Sequence, residues 1–297
     1  MILNMKSSFR YLLILLISLF CFSSCYGSWN FWDDGNDVDK RTRNLTYLND
    51  DNQIFEAAAI SDLNGKYTVL VISDPHFGNK RKKITGEPLF KYLDNLKAEE
   101  PDKPDKYPKF VLSLGDSVDI GFEGQYQLYI EFCEKLKNEY ELPIIFNSCG
   151  NHDLYQNAWD NWSKYCYPYT SFYKFKTEKI SWYCLDTASG TIGLNQYRLL
   201  MEDIKADSRP KIIFTHYPFV RFNYNCSNMA ETTERNKMIS DFSKNKVICL
   251  LGGHNHTQTY NDLGYPDYGI PSFGYDDEWG LLFVDEDAGS ARLEFCH

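Results

Sequence analysis

The sequence predicts an α/β fold, and three observations carry that prediction. From about residue 66, short apolar runs rich in Val, Ile and aromatic residues recur, as buried strands do. Longer helix-like stretches separate several of them, and strands alternating with helices argue for an α/β fold. At 43% hydrophobic and 16% aromatic, the 297-residue chain can also build a sizeable core. In chain order the strand-like runs are "YTVLVIS", "KFVLSL", "LPIIFNS", "ISWYCLD", "KIIFT" and "KVICLL". The helix-like segments are "EPLFKYLDNLKA", "GQYQLYIEFCEKLKNEY", "LNQYRLLMEDIKA" and "ETTERNKMISDFSKN". The last stretch, "WGLLFVDEDAGSARLEFCH", reads as a closing β-hairpin. No internal repeat or low-complexity block occurs.

The amino-terminus reads as a targeting segment over residues 1–24. Lys6 and Arg10 precede "YLLILLISLFCF", whose 12 residues are too few to span a bilayer comfortably. The following "FSSC" resembles the lipobox of bacterial lipoproteins, with Cys25 as the residue to be lipidated, although Phe22 stands where Leu is usual. Simple cleavage nearby and an uncleaved anchor are the other readings. Each leaves the rest exported, to the periplasm or the cell surface. Residues 25–60 open with polar, Gly/Asp/Asn-containing sequence and read as a tether, leaving a globular body over 61–297.

The formal net charge is -10, which argues against a nucleic-acid partner. The one Lys/Arg run, "NKRKK" at 79–83, reads as a solvated loop. Export permits disulfides. Beyond Cys21 and Cys25 the chain holds Cys133, Cys149, Cys166, Cys184, Cys226, Cys249 and Cys296, an odd set without zinc-type spacing. Cys149, Cys184 and Cys249 lie in apolar runs and read as small buried hydrophobes. Cys166 and Cys226 are the candidates for a bridge.

The strand ends carry the chemistry. "YTVLVIS" runs into Asp74-Pro75-His76, "KFVLSL" into Gly115-Asp116-Ser117-Val118-Asp119, and "LPIIFNSC" into Gly150-Asn151-His152-Asp153. "KIIFT" runs into His216, and "KVICLL" into Gly252-Gly253-His254-Asn255-His256. In an extended segment His254 and His256 would point the same way. Ligands bind outside the carboxyl ends of strands in α/β sheets, and five of the six histidines fall there, His297 alone being spare.

Taken in order, D-x-H, G-D-x-x-D, G-N-H-D, H and G-H-x-H resemble the motifs of the calcineurin-like metallophosphoesterase superfamily, over roughly residues 66–297. The resemblance implies a β-sandwich of two mixed sheets flanked by helices, a four-layer αββα arrangement in one domain. It implies one metal held by Asp74, His76, Asp116 and His256, and a second held by Asp116, Asn151, His216 and His254. Imidazole, carboxylate and amide donors suit Mn, Fe or Zn. Two such ions would attract phosphate, and a bridging hydroxide would be the nucleophile.

By the same resemblance His152 is the general acid and Asp119 orients it, with a helix cap as the alternative for Asp119. Asp153 reads as a cap for the helix in "YQNAWDNWSKY". Protein phosphatases of this superfamily carry Arg where this chain has Ile120 and Cys149, and purple acid phosphatases carry Tyr where it has Asp119. The expected activity is therefore hydrolysis of small phosphate esters, diesters favoured. A phosphomonoesterase, a hydrolase of non-phosphate esters and a non-catalytic surface-binding lipoprotein are the alternatives. Two aromatic stretches, "HYPFVRFNYNCSN" and "YCYPYTSFYKF", read as packed loop and edge strand, with Arg221 the one cation close to a ligand in sequence.

Overall fold

The computed structural model describes residues 38–50, 58–99, 105–220 and 232–297. Cys25 and the targeting segment, Arg221 and Cys226 lie outside these residues. Among the described residues no helix is long and apolar enough to cross a membrane.

Two sheets face each other. In chain order the elements are α1 (Val38–Arg41), β1 (Thr46–Tyr47), α2 (Ala58–Ser61), β2 (Lys66–Ile72), α3 (Glu87–Glu99), β3 (Pro108–Ser113), α4 (Glu123–Tyr140) and β4 (Ile145–Asn147). They continue with α5 (Trp159–Tyr165), β5 (Tyr173–Lys176), β6 (Ser181–Leu185), α6 (Leu194–Ala206), β7 (Lys211–Thr215), α7 (Thr232–Lys244) and β8 (Val247–Gly252). The last are β9 (Thr259–Asp262), β10 (Pro266–Gly269), α8 (Phe273–Asp276), β11 (Trp279–Asp285) and β12 (Ser290–Cys296). One sheet has the order β1-β5-β6-β7-β8-β10-β9, the other β12-β11-β2-β3-β4. Both are mixed. The β2–β3–β4 and β6–β7–β8 runs are parallel, while β11 pairs antiparallel with β2 and with β12.

The two-residue period of each strand divides its apolar residues between two layers. Val69 and Val71 of β2 point into the core between the sheets, with Trp182, Ile212, Phe214, Cys249 and Leu251 from the other sheet. Leu70 and Ile72 point outward, against Leu89 and Leu93 of α3 and Tyr126, Tyr129, Phe132 and Leu136 of α4. On the far side, Ile213 and Leu250 pack against Leu200 and Ile204 of α6 and Met238 and Phe242 of α7. Strands buried on both faces explain the continuous apolar runs, and the layers read α-β-β-α.

Part of the stretch read as a tether is packed into the body. Arg41 is buried, and its Nε and Nη2 donate to Asp186 at 2.7 and 3.0 Å. Residues 46–47 form β1, which pairs in parallel with β5, so β5 is not the sheet edge. A boundary at residue 61 therefore falls too late: the body begins by Val38. Cys149, Cys184 and Cys249 are buried free thiols, as their apolar surroundings predicted. Cys166, a candidate for a bridge, is likewise a buried free thiol.

Asp267 of β10 is buried, and burial pushes its carboxyl up to about 6, with the Asn261 amide (2.9 Å) opposing the shift. A folded-state value above the unfolded one means stability is fully present below about pH 4 and falls as pH rises through 6. Asp267→Asn should therefore stabilise the protein by about 3 kcal/mol above pH 7 and change little near pH 4. Urea unfolding at the two pH values measures this, and an equal effect at both would count against it.

Candidate metal centre

The parallel ladder of β2 and β3 continues past both strand ends. Asp74 N donates to Gly115 O (3.1 Å), His76 N to Asp116 O (2.9 Å) and Phe77 N to Ser117 O (3.0 Å). The two ligand-bearing loops are thereby held in register. In the other sheet the loops after β7 and β8 are held together in the same way, Gly253 N donating to His216 O at 2.8 Å. Asp74, His76, Asp116, His254 and His256 all take left-handed backbone, with φ between 48° and 65°. Non-glycine residues there cost on the order of 1 kcal/mol or more each, and such strain gathers at functional sites. His254 and His256 are thus not extended as the sequence suggested, and their rings join different groups of donors. Two glycines permit the close approach: a Cβ on Gly150 would overlap the backbone N and side chain of Asp116, and one on Gly253 would overlap Ser73 Oγ.

The expected donors form two trios, Asp74/His76/His256 and Asp116/His216/His254, and a third group, His76/Asp119/His152, shares His76 with the first. His256 Nε2 stands 3.1 Å from Asp74 Oδ1 and 3.3 Å from His76 Nε2. His216 Nε2 stands 3.3 Å from Asp116 Oδ2 and 3.1 Å from Asn151 Oδ1. Asp116 Oδ2 also lies 3.9 Å from His76 Nε2, which places it between the trios. Two nitrogens sharing one tetrahedral ion at about 2.0–2.1 Å would stand about 3.3 Å apart. The array therefore fits a pair of divalent ions in both donor type and spacing. The tautomers fit as well. His216 Nδ1 donates to the carbonyl of Leu114 at 2.8 Å, which leaves Nε2 to face the other donors.

The floor is dry and the mouth is open. Asp74, Asp116, His76 and His216 are buried, whereas Asn151, His152, His254 and His256 are partly exposed. Burial pushes the Asp74 carboxyl up, but the His256 hydrogen bond and the charge of His216 outweigh it and hold Asp74 low. Asp116 is likewise held low against burial, chiefly by His216. Burial pushes His216 down, and Asp116 and Asp74 together drive it up to about 9. Burial and then the charge of His216 lower His254 to about 4. The carboxylates also accept backbone N–H groups: His254 N on Asp74 Oδ2 (2.9 Å) and His152 N on Asp116 Oδ1 (2.7 Å).

His152 lies beside the trios, with its ring centroid 4.7 Å from that of His76. Its Nδ1 donates to Asp119, but to the backbone carbonyl, at 2.7 Å. The carboxylate expected to orient His152 instead accepts from Asn79 Nδ2 (2.8 Å) and stands 3.9 Å from His76 Nδ1, a buried nitrogen with no hydrogen-bond partner among the described residues. Nor does Asp119 cap a helix: α4 begins after Phe122, without a side-chain cap. Asp153 is not a cap for α5 either. It is fully buried and accepts from Gly150 N (2.9 Å) and Val118 N (3.2 Å), stitching two ligand loops together. Burial, and then the charge of Asp116, pushes its carboxyl up to about 8.

Sequence reasoning missed the residues that surround the donors. Ser73 Oγ donates to Asp74 Oδ2, and Ser272 Oγ donates to Asp74 O at 2.9 Å. Tyr217 stacks on His254 at 3.8 Å and Tyr275 on His256 at 5.2 Å. Tyr155 packs on His152 at 4.5 Å, and its hydroxyl accepts from Asn151 Nδ2 at 3.2 Å. That bond fixes the Asn151 amide with its oxygen toward His216. Tyr217 and Tyr155 are sequence neighbours of ligands and could have been found on that ground. Ser272 and Tyr275 are brought in by α8 from almost 200 residues away, with no local signal. Of the aromatic stretch 165–175, Phe172, Tyr173 and Phe175 are fully buried in packing.

The sequence pattern of the calcineurin-like phosphoesterase family matches residues 67–258. Comparison with curated proteins finds no match. Among solved structures, the chain is similar to a dimetal phosphatase from Danio rerio, at 12% identity and TM-score 0.55, covering 77% of this chain and 99% of that one. It is similar to GAP50, the anchor in the inner membrane complex of Plasmodium, at 12% identity and TM-score 0.52, covering 78% and 84%. It is also similar to a 5'-nucleotidase from Candida albicans, at 10% identity and TM-score 0.50, covering 80% of this chain but 52% of that one. At these identities the likeness is one of fold. The family match encloses every residue of the centre, from Asp74 to His256, and the chain belongs to the calcineurin-like phosphoesterase family.

Proposed function

We propose that this chain hydrolyses phosphate esters, phosphodiesters by preference, with two divalent ions held at the strand ends. The observation that carries the proposal is the donor array: two trios joined by Asp116, at spacings of 3.1–3.3 Å, with a histidine outside both. Asp74, His76 and His256 would hold one ion, His216, His254 and Asn151 the other, and Asp116 both. Bound there, the ions would supply Lewis acidity toward phosphoryl oxygens and make a water acidic near neutral pH; Mn, Fe and Zn suit the donors.

The protein's own groups do the rest. His216, His256 and backbone N–H groups keep the two buried carboxylates ionised and in place. The partly exposed His254, His256 and Asn151 admit the ester from the open side. His152 has Nδ1 committed to the Asp119 carbonyl, so Nε2 is the nitrogen left to give a proton to the departing oxygen. The diester preference rests on charge. Among the described residues no Lys or Arg pairs with a centre carboxylate, and Cys149, beside the Gly150–His152 loop, is a fully buried thiol. A monoanionic diester asks for less compensating charge than a dianionic monoester. Assays of purified, Mn- or Zn-loaded protein on bis(4-nitrophenyl) phosphate and 4-nitrophenyl phosphate test this, and higher kcat/KM on the diester is expected. Faster turnover of the monoester would reverse the assignment.

Asp116→Asn should lower occupancy of both ions, and His256→Ala chiefly of one. Elemental analysis measures this, and two ions retained in Asp116→Asn would remove Asp116 from its bridging place.

His152→Ala should keep both ions and the fold while losing roughly 10²–10⁴-fold in kcat, the usual worth of a general acid. The loss should be smallest for a nitrophenyl ester, whose leaving group departs without a proton, and largest for an alkyl ester. Equal losses on the two esters would contradict the acid role.

A further inference from the structure

The Lys/Arg run at 79–83, read from sequence as a solvated loop, begins three residues after His76 and borders a groove of ≈ 460 Å³. The groove lies between residues 77–85 and one face of α4. Phe77, Phe90 and Phe132 give it an apolar floor, with Ile84 and Leu128 at the sides. Leu128 is 46% exposed on a helix whose other leucine, Leu136, is fully buried, so this face lacks an apolar partner among the described residues. Gly78 allows the loop to press on the helix: a Cβ there would overlap Gln125, whose Nε2 donates to Gly78 O at 3.3 Å.

The rim is basic. Lys82, Lys83 and Lys135 line it against a single carboxylate, Glu131, in a chain whose net charge is -10. Lys82 is engaged with Asp277 at 2.8 Å. Lys135 sits over the Phe90 ring, Nζ to centroid 4.1 Å, and lies 3.8 Å from Glu139. Lys83 is exposed and makes no ion pair among the described residues.

The groove is coupled to the metal centre through Asn79, which lines it. Asn79 Oδ1 accepts from the backbone N of Arg81 (2.8 Å) and Lys82 (3.3 Å), shaping the basic loop. Its Nδ2 donates to Asp119 Oδ1 and to the hydroxyl of Tyr275, both at 2.8 Å. Asp119 in turn holds His152 through its carbonyl. Asn79 thus joins one end of the groove to Asp119 and Tyr275, which border His76 and His256 of the centre.

We propose that this groove is the leaving-group subsite, and that it takes an alcohol component with an apolar or aromatic body and a second negative charge. The inference rests on the phosphoesterase reading above. The body covers Leu128 and the phenylalanine floor, and the second anion meets Lys83 and Lys135. On hydrolysis water adds to phosphorus, the P–O bond to that component breaks, and its oxygen takes the His152 proton.

Two diesters test it: methyl 4-nitrophenyl phosphate and methyl 3-carboxy-4-nitrophenyl phosphate, whose leaving groups differ by one carboxylate. The wild type should favour the carboxylated ester in kcat/KM at low salt, with the preference fading as salt screens the rim. In the double variant Lys83→Glu/Lys135→Glu that preference should fall about tenfold, through KM. No preference in the wild type, or an unchanged one in the variant, overturns the subsite. Should the metal-loaded wild type hydrolyse neither ester, the phosphoesterase reading fails by itself. Calorimetric titration with 5-hydroxy-2-nitrobenzoate then decides the groove: binding about tenfold weaker in the variant supports it, and equal or absent binding in the wild type overturns it.

Discussion

Two carboxylates, Asp74 and Asp116, are buried side by side at the junction of the two sheets, and among the described residues neither pairs with Lys or Arg. Like charges in a dry site are costly unless compensated. Backbone N–H groups, the Ser73 hydroxyl and the surrounding imidazoles compensate in part. Divalent cations would answer the remainder, and the donors face each other at spacings that fit them. Five candidate donors in left-handed backbone are the strain that this arrangement carries.

The architecture exists to bring those loops together. Parallel strands send β2 and β3 from one sheet and β7 and β8 from the other toward a common edge. The sheets are cemented by an aromatic and aliphatic core that contains no part of the site. Cross-links such as His216 Nδ1 to Leu114 O and His254 N to Asp74 Oδ2 then join ligands of one sheet to the loops of the other. Asn79 extends this order outward and connects Asp119, whose carbonyl holds His152, to the basic groove.

Much of this was legible because strands and ligands leave local signals. Six apolar runs are six strands, and the polar residues that end five of them supply the donors. What the sequence hid depends on contacts without local pattern. A carbonyl rather than a carboxylate holds His152, and no side-chain motif reports a carbonyl. Asp153 lies where a cap would lie, but the close approach of the 118 and 150 loops claims its oxygens. Arg41 sits in sequence that composition marks as tether, yet Asp186, 145 residues away, buries it. Short strands such as β9 and β10 lack the length that makes periodicity visible.

The central claim is that two ions share Asp116. Anomalous scattering from crystals of the Mn- or Zn-loaded protein tests it most directly. The account predicts two peaks about 3.5–4 Å apart, one beside Asp74, His76 and His256, the other beside His216, His254 and Asn151, with Asp116 between them. A single peak, or two peaks with Asp116 touching only one, would contradict it.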